Sequence, residues 1–273
     1  LGIFMSVCVV QTATAAPEIQ VWETDQGVPV YFVEAHEIPM VQISMGFKAG
    51  SGYDPAAKLG VSSLMSQLLT MGVVGMNQDA LAEAIESTGA QMGAGSDADK
   101  MVASLKTLTE PEVLDKASAL FASILSEPTF PVEVLNRERA RRLVGLERQK
   151  QSPGAMAGKA FAATLFPDHP YGRPASGDEN TLAAIERTDL QAFYEKYVVQ
   201  SNVVVAVVGD MNRPQVESWV ESLLESLPVG EPAVSIETPE VPVASEQFIP
   251  FDSQQSTILL GHHGIPRGHP DYI

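Results

Sequence analysis

The chain has 273 residues, enough for one large domain or for one domain and part of a second. Hydrophobic residues make up 45% and charged residues 19%, as in a globular protein with a hydrophobic core. Asp and Glu total 34 against 17 Lys and Arg. The resulting net charge of −17 argues against binding to nucleic acid or to an anionic membrane surface, because both would repel it.

The first sixteen residues have the pattern of the second half of a secretory signal peptide. An apolar run, Ile3–Val10, ends in small residues with an A-x-A-like cleavage site after Ala15. We therefore predict a partial signal peptide at 1–16 and a periplasmic location; an apolar first strand is the alternative. Cys8, the only cysteine, falls in this segment, so the mature chain would contain no disulfide. No other segment approaches the roughly 20 apolar residues of a membrane span.

The first half of the remaining chain predicts strands, then helices, then a hairpin. Residues 19–22, 28–34 and 41–47 have the β-branched and aromatic content of strands. Helical periodicity follows over 56–70 and 78–87. A glycine-punctuated strand near Ala90–Ser96 is then predicted to pair with Met101–Leu105.

The second half predicts mainly helices around one buried strand. We expect helices over 111–126, 132–151, 153–165, 189–197 and 213–227 and the strand over 202–209. Prolines in 228–246 indicate an extended linker, and 257–261 has the pattern of a further strand. The sequence thus predicts an α+β domain at 17–227, with an antiparallel or mixed sheet and helices packed on one face. Residues 247–273 would begin a second, similar domain.

Several segments resemble, in the same order, characteristic segments of a known family. They are 34–41, 47–54, Lys58–Gly60, His169–Gly172, 201–210 and 264–272. Together they resemble one half of a pitrilysin/insulinase-type zinc peptidase subunit, in the branch of the mitochondrial processing peptidases. The resemblance extends from about residue 19 to the end and implies the fold just described.

The metal motif of that family is not retained. Members that cleave peptides carry His-x-x-Glu-His on the helix after Gly60, because side chains at i and i+4 share one helix face and can share a zinc ion. Counted from Gly60, those positions hold Ser63, Ser66 and Gln67. The family's remote glutamate falls at about Val144, although a slip of a few residues would bring in Glu138 or Glu147. The resemblance therefore implies no catalytic residue and no metal or cofactor in this chain, with zinc expected in a partner subunit.

Other candidate sites have simpler explanations. His36-Glu37-x-x-Met40 lacks the second histidine of a zincin motif, and neighbouring His262 and His263 would point to opposite faces of a strand. His169 is expected to support its turn. Residues 133–148 are interpreted as a solvated helix with i,i+4 ion pairs between Glu133 and Arg137 and between Glu138 and Arg142.

The resemblance also implies a function. In the family, the strand after the second helix is a sheet edge that receives a peptide by β-addition, which points to Ala94, Gly95 and Ser96; an ordinary edge strand is the alternative. The leading hypothesis is a non-catalytic subunit that pairs with a zinc-bearing paralogue to form a peptide-degrading chamber. One alternative is a structural or peptide-holding periplasmic protein without a protease partner. The other is an active peptidase whose metal ligands lie at positions other than those counted from Gly60.

Overall fold

The computed structural model describes residues 18–266 and 268–272, so the predicted signal peptide and Cys8 lie outside the described residues. The strands are β1 (Gln20–Glu23), β2 (Pro29–Glu34), β3 (Met40–Phe47), β4 (Gln91–Ser96), β5 (Met101–Leu108) and β6 (Val203–Gly209). The helices are α1 (Val61–Leu68), α2 (Gln78–Ser87), α3 (Pro111–Ser126), α4 (Val132–Lys150), α5 (Pro153–Leu165), α6 (Glu179–Ala184), α7 (Arg187–Tyr197) and α8 (Arg213–Leu224).

The six strands form one mixed sheet in the order β1-β2-β6-β3-β5-β4. β2 and β6 run parallel, and every other neighbouring pair is antiparallel. The predicted α+β class with a mixed sheet is confirmed. β4 is the last strand at one edge, a position that matters for the site described below.

One face of the sheet carries the hydrophobic core. In β6, Val203, Val205 and Val207 are buried, whereas Val204 and Val208 on the opposite face are each 45% exposed. The inward residues of β3 and β5 join the same core, where Ile43 lies opposite Leu105. The helices pack on this face, because residues of α1, α3, α7 and α8 belong to the same buried cluster.

The predicted helix over 56–70 is wrong at both ends, since α1 spans only Val61–Leu68. Its start is displaced because Gly60 has φ +94°, a left-handed conformation that cannot continue a helix. Residues 56–58 form a separate short 3-10 turn before it. α6 was not predicted at all, and a capping box at Asp178 begins it.

The predicted strand at 257–261 is also wrong. No regular element forms there, and the side chains of Ile258 and Leu260 are 85% and 98% exposed. A strand needs hydrogen bonds from a neighbouring strand, and none of the described strands pairs with this segment. Residues 228–246, the predicted linker, likewise contain no helix or strand.

The extended segment after α8 is nevertheless attached to the domain. The His169 side chain hydrogen-bonds the Glu237 carbonyl oxygen (2.8 Å), and Thr164 donates to Gln247 (3.0 Å). No described helix has the length and apolar character needed to cross a membrane.

Candidate functional site

Helix α1 presents one apolar face to the core and one polar face to the site. Val61, Leu64, Met65 and Leu68 are fully buried, as the i, i+3, i+4, i+7 spacing predicts. Ser63 and Gln67, one turn apart on the other face, are half-buried. The sequence therefore located the face where metal ligands would lie.

The N-terminus of α1 is held by a buried carboxylate. Asp54 accepts hydrogen bonds from the backbone amides of Gly60 (2.6 Å) and Ser62 (3.0 Å), and its side chain is almost inaccessible to water. Burial raises the pKa of Asp54 to about 6, and the two backbone hydrogen bonds oppose that rise. These two hydrogen bonds tie the start of α1 to the preceding loop that carries Asp54.

Arg142 of α4 reaches across to the polar face of α1. Its Nη1 donates to Ser63 Oγ (3.0 Å), and its Nη2 donates to the Ser63 carbonyl (2.9 Å) and to Gln67 Oε1 (2.7 Å). Burial lowers the pKa of Arg142, and the nearby carboxylates of Glu138 and Asp54 oppose that shift. A guanidinium group thus lies between the two side chains at i and i+4.

Glu138 completes the network from the same helix. Its Oε2 accepts a hydrogen bond from Gln67 Nε2 (2.9 Å), so the Gln67 amide connects Arg142 on one side with Glu138 on the other. Its Oε1 accepts from Arg137 Nε (3.1 Å) and Arg141 Nη1 (2.8 Å). Only 3% of the Glu138 side chain is exposed, so this carboxylate is buried and fully paired.

The structure shows which residue of α4 faces the site. Val144, where simple counting puts the remote glutamate, has 52% of its surface exposed, and Glu138 is the residue that contacts Gln67. The predicted i,i+4 pairs of 133–148 are wrong, because Glu138 is buried and pairs with Arg137 and Arg141, although much of the rest of this helix is exposed as predicted. The spacing of residues in the sequence could have predicted this. Val134, Leu135, Glu138 and Arg142 lie along one side of the helix, and the first two are core residues.

These residues do not fit a zinc ion. Ser63, Ser66 and Gln67 offer neither imidazole nor thiolate, and Glu138 already accepts three hydrogen bonds. Within the described residues, no group of three or more His, Cys, Asp and Glu side chains is placed to hold a metal ion. The network can orient polar groups, and its one carboxylate in contact with α1, Glu138, is engaged by three hydrogen-bond donors.

Strand β4 lies next to this network. Ser66 Oγ is 3.4 Å from Ser96 Oγ, so the polar face of α1 adjoins the end of β4. β4 pairs with β5 only, and no described strand covers its other edge. An added Cβ at Gly93 or Gly95 would meet no atom within 4 Å, so the backbone there is open to approach.

The histidines considered as candidates in the sequence lie away from this polar network. His36 hydrogen-bonds Asp210 (2.6 Å) and Glu34 (2.8 Å), which raises its pKa above the ordinary value. His169 accepts a hydrogen bond from the Tyr171 amide (3.2 Å) and so supports its turn as expected. His263 stacks on a phenylalanine ring (4.8 Å between centroids).

The fold and this face of α1 define a metallopeptidase-like domain whose metal-ligand positions hold neutral polar side chains. Sequence comparison agrees. Residues 30–179 match the model for "Insulinase (Peptidase family M16)", and residues 184–273 match "Peptidase M16 inactive domain". The chain belongs to the M16, or insulinase, family of peptidases, as the resemblance predicted.

Three proteins illustrate what the chain is similar to. An "Uncharacterized zinc protease" of Rickettsia felis is 24% identical over 84% of this chain and 55% of its own length. The "Non-peptidase homolog YmxG" of Helicobacter pylori is 24% identical over 96% of this chain and 59% of its own length. The crystal structure of a peptidase M16 inactive domain from Pseudomonas fluorescens is 37% identical, with a TM-score of 0.80, over 83% of this chain and 55% of that one. The chain therefore spans about half the length of the curated relatives it matches, and its similarities include both proteases and a non-peptidase.

Proposed function

We propose that this chain is part of a non-catalytic M16 subunit that binds peptides and acts together with a zinc-bearing paralogue. The observation that carries the proposal is the Arg142–Ser63–Gln67 network at the positions where catalysis would need two ligands. A hydrolytic site requires a metal-bound water and a general base, and neither can be built from these side chains. The similarity to a non-peptidase homologue supports the same conclusion.

The peptide-binding part of the proposal rests on β4. An extended peptide would add to the open edge of β4 through backbone hydrogen bonds, beside Ala94, Gly95 and Ser96. With a net charge of −17, the protein would attract basic peptides more strongly than acidic ones. Zinc chemistry would then come from the partner, and export would place both subunits in the periplasm.

The test uses the full-length protein, alone and together with a paralogue that carries His-x-x-Glu-His. We expect the protein alone to contain no stoichiometric zinc by elemental analysis and to leave a quenched fluorescent basic peptide intact. The pair should cleave that peptide. A pair in which the partner's motif glutamate is changed to glutamine should not cleave it, which assigns the activity to the partner. Stoichiometric zinc, or peptidase activity in the protein alone, would contradict the proposal.

Binding at the β4 edge can be tested separately with two N-methylated peptides. Alternate residues of an added strand direct their N–H groups to opposite sides, so methylating one alternate set should abolish binding and methylating the other set should not. Equal effects of the two sets would argue against β-addition. Pull-down from the periplasmic fraction tests both location and partnership. Recovery of peptides without a paralogue would favour the peptide-holding alternative.

A further inference from the structure

The guanidinium group of Arg142 lies where a shared metal ion would need to be. Two ligands at i and i+4 of one helix bind an ion between them, and Arg142 is hydrogen-bonded to both such positions, Ser63 at 3.0 Å and Gln67 at 2.7 Å. A third hydrogen bond, to the Ser63 carbonyl (2.9 Å), ties the group to the helix backbone. Arginine keeps its charge at any physiological pH, so the positive charge there is permanent.

The charges around the site also favour a guanidinium group there and oppose a divalent metal ion. Glu138 is the one carboxylate in contact with Gln67, and it pairs with Arg137 and Arg141. The guanidinium group of Arg142 lies near both Glu138 and Asp54, so three positive charges stand against two carboxylates. A divalent ion added here would be repelled mainly by Arg142, which is half-buried, because Arg137 and Arg141 are exposed and their charges are screened by water.

We propose that Arg142 replaces the metal cation of this site and excludes divalent metals from it. The guanidinium group supplies a positive charge to the polar face of α1 through its hydrogen bonds to Ser63 and Gln67. The site is therefore closed to zinc by an occupant from the chain itself, in addition to the loss of the ligands. Restoring the ligands alone should not restore metal binding.

The test compares two variants of the full-length protein that both regain imidazole ligands. The first carries Ser63→His and Gln67→His, with Glu138 as the third ligand and Arg142 retained. The second carries the same changes and Arg142→Ala. Cobalt absorption and zinc titration calorimetry measure the metal affinity of each. We expect the second variant to bind about 10- to 100-fold more tightly than the first, a change of the size that groups around a metal site produce.

Two controls separate the proposal from trivial explanations. Arg148→Ala in the first variant removes an exposed positive charge from the same helix without vacating the site, and it should leave metal affinity unchanged. Arg142→Met keeps the aliphatic stem and should behave like Arg142→Ala, which protects the test against misfolding of the alanine variant. Equal affinity with and without Arg142, including no binding in either case, would overturn the inference. This outcome is independent of whether the protein has a paralogous partner.

Discussion

The Asp54 carboxyl group makes the stability of this domain depend on pH in a direction that the structure specifies. It is 4% exposed and accepts two backbone hydrogen bonds at the start of α1. Burial raises its pKa from 3.8 to about 6, so the folded state binds the proton more tightly than the unfolded state. The extra stability is therefore fully present below the ordinary pKa and is lost as the pH rises through about 6.

The magnitude follows from these two pKa values. At 1.36 kcal/mol per pKa unit, Asp54 contributes about 2 kcal/mol near pH 4.5 and almost nothing near pH 7.5. Asp54→Asn keeps a hydrogen-bond acceptor but cannot titrate. The free energy of unfolding of the wild type minus that of the variant should therefore fall by about 2 kcal/mol over this interval.

Urea unfolding at constant ionic strength, followed by circular dichroism, measures this difference. Taking the difference between two proteins cancels the titration of the many other carboxylates. Asp25→Asn, at an exposed turn before β2, is the control for the loss of one negative charge. A difference that grows with rising pH would refute the reasoning, because it would mean that the backbone amides at the start of α1 outweigh burial and lower the pKa of Asp54.

Two further predictions concern local geometry. The pKa of His36, followed by NMR, should lie above 6.5, and Asp210→Asn should lower this pKa more than Glu34→Gln does. The contacts of His36 with these carboxylates contribute to stability below pH 6.5, and this contribution is lost as the pH rises through the raised pKa. No change with Asp210→Asn would show that the contact does not form. Gly60→Ala should cost about 1–3 kcal/mol in urea unfolding, because φ is +94° and the new Cβ would lie 2.9 Å from a backbone oxygen. Gly145→Ala, inside α4 with open space around it, should instead add up to about 1 kcal/mol; equal effects of the two changes would contradict this account.

Much of the fold was predictable from the sequence because its signals are local. The apolar stripe of α1 depends on periodicity alone and is confirmed. The buried strand predicted at 202–209 forms as β6, but it is buried on one face only, since Val204 and Val208 are each 45% exposed. β5 extends to Leu108 rather than Leu105, which pairing with the whole of β3 explains. The wrong strand at 257–261 shows the limit of this approach, since a strand depends on a partner elsewhere in the chain.

The residues that line the site could be predicted from the sequence on α1 but not on α4. On α1, a fixed reference at Gly60 and the i, i+4 spacing identified Ser63 and Gln67 directly. On α4, the position of the remote glutamate had to be counted over a long stretch of chain from Gln67. An error of a few residues in that count places the position at Val144 instead of Glu138. The charges on α4 suggested a solvated surface, but tertiary contact with α1 buries Glu138 and turns Arg142 inward.

The two faces of α1 explain how a metal site can be lost without loss of the fold. The packing of α1 depends on Val61, Leu64, Met65 and Leu68, and none of these side chains faces the Arg142 network. Changes on the polar face therefore leave the core intact, provided that the buried charge of Glu138 remains compensated, because an unpaired buried carboxylate is strongly destabilising. Arg137, Arg141 and the Gln67 amide provide that compensation through protein groups alone. The domain thus keeps the M16 fold, with β4 at the edge of the sheet, while the charge of Glu138 is compensated by protein groups.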